Sequence, residues 1–298
     1  MTRNQRAHLS LLATTLIFGL HYTIAKSLMP ESFSPMQVIF IRTLGGVILF
    51  WLFQRLFIAE KVDRKDLFML AICGILGFAL NQTLFYVGLN MTTPVDASII
   101  HVLIPILVLV FAGIILKEKI TFQKAVGIAL GAGGAVLLIL YGHVVSFSGK
   151  TMFGNILVFA NAVFYALYLI MIKPLVGKYH TATILKWVSF FGFLAILPFS
   201  IRPAMNIDFS SVKLMAWLGI AYIIVLNTFF AYLLINFALQ RVTPLVVSYY
   251  SYIQPVVASL SFMVLGQGVL SFPKIIAALI IFSGVYLVNR PERKATLK

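Results

Sequence analysis

Residues 93–105 read TPVDASIIHVLIP, and residues 243–255 read TPLVVSYYSYIQP. A Thr-Pro pair opens each stretch and a proline closes it, at a constant offset of 150 positions (94 and 244, 105 and 255). Working outward, the same offset relates Phe122 and Lys124 to Phe272 and Lys274, and Gly134 to Gly284. The second half of the chain therefore restates the first, and self-similarity at a fixed spacing decides architecture before any single element does.

The repeated material is apolar. Of the 298 residues, 61% are hydrophobic and 10% are charged, where a soluble domain carries roughly 25% charged residues. Mean hydropathy is +1.02. The eight carboxylates all fall between apolar runs or at their edges. Apolar runs of about 20 residues fit a bilayer core of roughly 30 Å, and helices satisfy their own backbone there. Helical spans are expected near residues 8–28, 35–56, 67–90, 94–116, 122–141, 154–176, 181–200, 212–239, 244–265 and 272–289. The expected fold class is all-α integral membrane, with ten transmembrane helices as two inverted five-helix repeats. An odd unit repeated in one bilayer must lie upside down the second time. The units are residues 1–141 and 154–298, the latter ending in a short basic tail, with a linker at 142–153. Arg3 and Arg6 before an apolar run resemble a signal peptide. No small-residue cleavage site follows Lys26, so an uncleaved first span is expected.

A net charge of +15 raises the question of nucleic acid, and the distribution answers it. With the N-terminus in the cytoplasm, 17 of the 23 lysines and arginines fall on the cytoplasmic side, five on the other, and Arg42 alone inside a span. This asymmetry follows the positive-inside rule and places both termini in the cytoplasm. Basic charge then meets membrane lipid headgroups, and no nucleic-acid partner is needed. The single cysteine, Cys73, excludes an intramolecular disulfide and a thiol metal cluster.

Two copies of a five-helix unit resemble the drug/metabolite transporter superfamily, specifically its ten-helix EamA-type permeases. The resemblance rests on Phe18-Gly19, Lys26, Ser34-Pro35, Arg42, Ala97-Ser98, Pro105 and Glu118-Lys119-Ile120-Thr121 in the first unit. In the second it rests on Lys173, Pro244, Pro255, Leu270-Ser271 and Gly284. It covers almost the whole chain. One departure is that Gly266-Gln267-Gly268 stands where a second acidic turn would match Glu118. The resemblance implies movement of small metabolites through a central cavity, often amino acids or related amphipathic compounds, with export as the expected direction. It also implies no cofactor. A compact chain of this kind suits the bacterial inner membrane.

Intramembrane polar residues mark where such a cavity would lie, because polar groups in spans are costly and functional by default. Pro105 and Pro255 each remove a backbone donor and free the carbonyl four residues earlier, of His101 and Ser251. Both helices are therefore expected to turn a polar, bent face to the centre. Cavity candidates are His21, Arg42, Asn81, His101, Asn161, Tyr165, Asn227, Tyr250 and Gln254, with Gln82 and Asn236 also inside spans. Tyr250 and Gln254 share one helix face, and Tyr249 fits an interfacial aromatic belt. Arg42 is a candidate anchor for a substrate carboxylate, against the alternative of a structural arginine. His21 and His101 are the candidate proton carriers if transport is proton-coupled. No carboxylate lies deep in a span, which suits a uniporter or exchanger.

Lys26 and Lys173 each stand seven residues after a small residue, Gly19 and Ala166. Inversion puts them at opposite membrane faces, where each is a gate candidate or a snorkelling lysine; Pro105 and Pro255 are the hinge candidates. Gly127, Gly131 and Gly134 form a packing seam, within the bundle or between two copies in a homodimer. Enzyme classes are disfavoured: the chain has no Gly-x-Ser-x-Gly, His-Glu-x-x-His or phosphate-binding glycine loop. A channel, a phospholipid or nucleotide-sugar-type exchanger, and a membrane enzyme remain the alternatives to a small-metabolite carrier.

Overall fold

The computed structural model describes residues 3–117, 121–140, 149–210, 212–254, 256–257 and 272–289. Every regular element among them is helical. In chain order these are α1 (Arg3–Leu28), α2 (Pro35–Phe57), α3 (Arg64–Met91), α4 (Pro94–His101), α5 (Ile104–Ile115) and α6 (Phe122–Leu140). There follow α7 (Gly149–Val176), α8 (Thr181–Met205), α9 (Leu214–Leu239), α10 (Pro244–Tyr249) and α11 (Phe272–Asn289). Among the described residues, α1, α2, α3, α7, α8 and α9 are each long and apolar enough to cross a bilayer, and α5 and most of α11 are shorter apolar helices. Large apolar side chains point outward, among them Phe68, Ile114, Phe199 and Leu279. The chain is a multi-pass membrane protein, and that outer surface is lipid-facing.

Local sequence sets the helix starts. Ser34 caps α2: its hydroxyl accepts from Gln37 N at 3.4 Å while the Gln37 side chain accepts from Ser34 N at 2.7 Å. Pro35 sits in the first turn, where its missing N–H costs nothing. The two Thr-Pro pairs behave alike. Thr93 Oγ1 accepts from Asp96 N at 3.0 Å and Thr243 Oγ1 from Val246 N at 3.4 Å, so the 150-residue offset reappears as the same cap.

It reappears again inside the long helices. α3 widens into a π turn over Ile75–Leu80 and α9 over Ile223–Phe230. There Asn81 N bonds the Leu76 carbonyl and Ala231 N the Leu226 carbonyl, five residues back. Thr228 Oγ1 donates to the Ile223 carbonyl at 2.8 Å, occupying an acceptor in the widened turn. π turns of this kind mark functional positions in helices more often than chance would place them.

The main helix pairings also map onto one another when the halves are exchanged: α1 packs on α9 and α7 on α3, α2 on α8, and α6 on α11. The last pair explains the glycine seam. A Cβ added at Gly284 would lie 2.7 Å from both Gly127 O and Gly131 N, so only glycine lets these backbones meet. The seam is thus occupied within the chain.

The structure departs from the expected spans in three places. The span expected over 94–116 is broken after His101, and Pro105 lies in the first turn of α5; a residue with no N–H starts a helix more easily than it continues one. α7 begins at Gly149, inside the stretch taken as a linker. Tyr249 is not in an interfacial belt. It is fully buried, donating to the Lys124 carbonyl on α6 at 2.9 Å and packed edge-on against Tyr252. Pro255, Glu118, Gly266–Gly268 and most of the linker lie outside the described residues.

Candidate functional site

Where the two π-turned helices face each other, the bundle holds a cavity. The volume open to the centre of a water molecule is ≈ 90 Å³. At roughly 10–15 Å³ per water, that is room for several waters or one small solute. All nine cavity candidates line it: His21 from α1, Arg42 from α2, Asn81 from α3, His101 from α4, Asn161 and Tyr165 from α7, Asn227 from α9, and Tyr250 and Gln254 near the end of α10. Sequence reasoning left out Tyr22 and Tyr232, and counted Gln82 as polar without placing it here. Tyr232 carried a signal, since it stands one 150-residue offset from Gln82.

Many of the polar atoms of this wall are linked by hydrogen bonds. Arg42, only 2% exposed, donates from Nε to Thr228 Oγ1 at 2.7 Å and from Nη1 to Gln82 Oε1, with Tyr86 Oη at 3.5 Å. Gln82 spends both amide hydrogens, on Asn81 Oδ1 at 2.6 Å and on Tyr232 Oη at 2.7 Å. Asn81 and Asn161 clasp each other's backbone carbonyls at 3.1 and 2.8 Å. Asn161 Oδ1 therefore faces His101 Nε2, at 2.7 Å, and an amide oxygen can only accept. So Nε2 of His101 carries the hydrogen, and its Nδ1 accepts from the Tyr22 hydroxyl. That hydroxyl lies 3.2 Å from Gln254 Oε1. At the far end of the same wall, Tyr250 Oη meets His8 Nδ1 at 2.7 Å. The helix break before Pro105 is what lets His101 reach both α1 and α7.

Two cavity-lining groups stand outside this economy. His21 Nδ1 and Asn227 Nδ2 are buried and find no partner in the protein. The charge balance is also one-sided. Among the lining residues Arg42 is the only permanent charge, and no Asp or Glu is present.

The two lysines do one job at two ends. Lys26 Nζ donates to the carbonyls of Leu89, Asn90 and Thr92 at 2.8, 3.1 and 2.8 Å. Lys173 Nζ donates to the carbonyls of Leu239 and Val242, the latter at 2.9 Å. Leu239 and Val242 are Leu89 and Thr92 displaced by 150. Each lysine thus satisfies the orphan carbonyls at the C-terminal end of a π-turned helix, where a cation is favoured. Both contacts stay within one half of the chain.

Contacts between halves occur at the end where α2 meets α3 and α7 meets α8. Lys178 Nζ pairs with Asp63 at 2.6 Å and with Asp66 at 2.5 Å. Tyr179 accepts from Asp63 N and donates to Asp66, and His180 N donates to Glu60. The hydrogen bond and charge of Lys178 hold the Asp63 carboxyl below the ordinary carboxylate range. Hydrogen bonds that Lys178 donates to the same carboxylates, and its bond with Tyr179, push the Lys178 ammonium upward. One offset away, Glu31 and Lys213 occupy the places of Lys178 and Asp63 with the signs exchanged. They form no ion pair with each other among the described residues.

Comparison with known proteins agrees with this architecture. The EamA-like transporter family matches residues 5–140 and again residues 152–290. The uncharacterized transporter YetK of Bacillus subtilis is 28% identical over 94% of this chain and 86% of its own length. A probable terminal-alkyne amino-acid exporter of Streptantibioticus cattleyicolor is 26% identical over 78% of this chain and 76% of its own length. A solved crystal structure superposes with a TM-score of 0.75 at 17% identity, covering 97% of this chain and 98% of the other, a likeness of fold. With both halves matched over nearly their full length, the chain belongs to the EamA-like transporter family of the drug/metabolite transporter superfamily.

Proposed function

We propose that the protein is a secondary transporter that exports small amphipathic metabolites, amino acids or related compounds, across the cytoplasmic membrane by alternating access. In this reading it comprises two inverted five-helix units in a ten-helix bundle, with both termini in the cytoplasm of a bacterial cell. The observation that carries the proposal is the buried cavity lined by polar groups of both halves, with donors left over for a solute. The exchange-symmetric helix pairings and the two equivalent lysine caps support inverted units. The amino-acid export named for one relative supports the substrate class.

The ion pairs suggest how access alternates. The Asp63–Lys178–Asp66 contact ties the halves at the end assigned to the cytoplasm. Glu31 and Lys213 are its sign-exchanged counterpart at the other end. A carrier that closes one end at a time makes one of these contacts in each state. The test is uptake and counterflow in proteoliposomes with labelled amino acids, with and without a pH gradient. Saturable counterflow of at least one amino acid is expected. Chemical turnover of a solute without translocation would overturn the proposal in favour of an enzyme.

A further inference from the structure

We infer that the cavity recognises its solute by a carboxylate, received by His21 Nδ1 and Asn227 Nδ2 in the field of Arg42, and that it rejects cations. This deepens the transport reading above and rests on it for the idea that the cavity holds a solute at all.

Hydrogen-bond roles give the first argument. Tyr86 Oη lies 3.5 Å from Arg42 Nη1 and 3.2 Å from His21 Nε2. Arginine can only donate, so the hydroxyl accepts that bond, and we assign its own hydrogen to His21 Nε2. A neutral imidazole that accepts at Nε2 carries its hydrogen on Nδ1. The unpartnered Nδ1 is therefore a donor, as is the unpartnered amide nitrogen of Asn227. Both side chains are more than nine-tenths buried, at 6% and 2% exposure. Two buried donors on residues that line one cavity call for acceptors, and each costs free energy while unmet.

Charge gives the second argument, independently of tautomers. The Arg42 guanidinium is buried among neutral acceptors, Thr228, Gln82 and Tyr86. Among the described residues no carboxylate lines the cavity to balance it. A buried uncompensated cation attracts an anion strongly and makes a second cation costly at that site. Arg42 Nε and Nη1 are held by these neighbours, and we place the direct bonds on His21 and Asn227 within its field. His21 is further fixed by stacking on Phe85 at 5.5 Å and by the edge of Tyr86 at 5.7 Å.

The experiment uses the purified full-length protein in nanodiscs, with equilibrium binding of labelled L-leucine competed by four unlabelled probes. N-acetyl-L-leucine keeps the carboxylate and loses the ammonium. L-leucinamide keeps the ammonium and loses the carboxylate. Acetate and chloride offer an anion without the body of the solute. N-acetyl-leucine should compete within about threefold of leucine, and leucinamide, acetate and chloride at least about tenfold more weakly. His21→Phe and Asn227→Asp should each weaken leucine about tenfold or more, and Asn227→Asp should admit leucinamide, because it places a carboxylate opposite the lost one. Equal competition by leucinamide, displacement by chloride as strong as by leucine, or no binding of leucine would overturn the inference. The wild-type competition series needs no variant to fold. Binding without counterflow in the same protein would count against the transport reading and leave the carboxylate site standing.

Discussion

At the ends of its two π-turned helices the molecule repeats itself, and at their centres it does not. Lys26 holds the carbonyls of Leu89 and Thr92, and Lys173 holds those of Leu239 and Val242. The centres keep the positions and change the chemistry. His21 meets Tyr86 in the first half, whereas Tyr168 meets Asn236 in the second. Gln82 meets its own counterpart Tyr232 across the middle. Exposed carbonyls at a helix end pose the same problem in both halves and have the same solution. A solute touches both halves at once, so the groups around it are free to differ. The difference teaches that a helix end dictates its cap, while a site shared by both halves leaves its groups free to differ.

The sharpest way to break this comparison is at Arg42, which has no basic counterpart in the second half. Arg42→Gln removes the charge and leaves Thr228 and Gln82 with one partner fewer. A stability loss of about 2–4 kcal/mol is expected, with leucine binding abolished; thermal unfolding in detergent and the binding assay measure both. Unchanged stability would mean the network is slack.

Next come the two caps. Lys26→Met and Lys173→Met should each cost about 1–3 kcal/mol. Their effects should be similar and nearly additive, since each contact lies within its own half of the chain. A large effect at one and none at the other would show that the shared geometry hides unequal roles. Of comparable or smaller size is Gly284→Ala, whose methyl would meet Gly127 O and Gly131 N. About 1–3 kcal/mol is expected, read as a lowered unfolding temperature of the monomer.

The second pair of regions to compare is the two ends, one tied by Lys178 and the other carrying Glu31 and Lys213 unpaired. Cysteines at positions 31 and 213 should crosslink in membranes more readily when Lys178→Ala releases the opposite end. Equal crosslinking with and without Lys178 would separate the two contacts.

The smallest effect is on pH. Asp63 has its carboxyl lowered in the folded protein, so its contribution is present above the ordinary carboxylate value and is lost as pH falls through the folded value. Lys178 has its ammonium raised, so its contribution is full below the ordinary lysine value and is lost as pH rises through the folded one. The contact should therefore be flat from roughly pH 4 to 10 and weaken outside that window. Both groups are exposed, so salt should screen what the pair contributes. Crosslinking at 31 and 213 across pH 5 to 8 should not change; a change there would point to a histidine instead.

Much of this was legible in the chain. Nine of the residues that line the cavity could be named from polarity inside apolar runs, because a polar side chain in a bilayer span must turn inward or pair. Tyr22 and Tyr232 were not, because an isolated tyrosine in a span reads equally well as lipid interface or as packing. Tyr249 was misplaced for the same reason. The π turns left no trace in composition, since Ile75–Leu80 is ordinary apolar sequence and only neighbouring helices decide whether a helix widens there.

The sequence by itself determined that the chain is a membrane protein and that matching residues recur at a constant offset. Hydropathy and repetition are properties of residues in order, and no packing can alter them. Only the tertiary structure decided that Lys26 and Lys173 cap helix ends within their own halves and that the glycine seam closes within one chain. It alone showed which buried donors remain unmet. Those facts depend on which backbone atoms come within about 3 Å of a side chain, and residues far apart in sequence reach that distance only in the folded bundle.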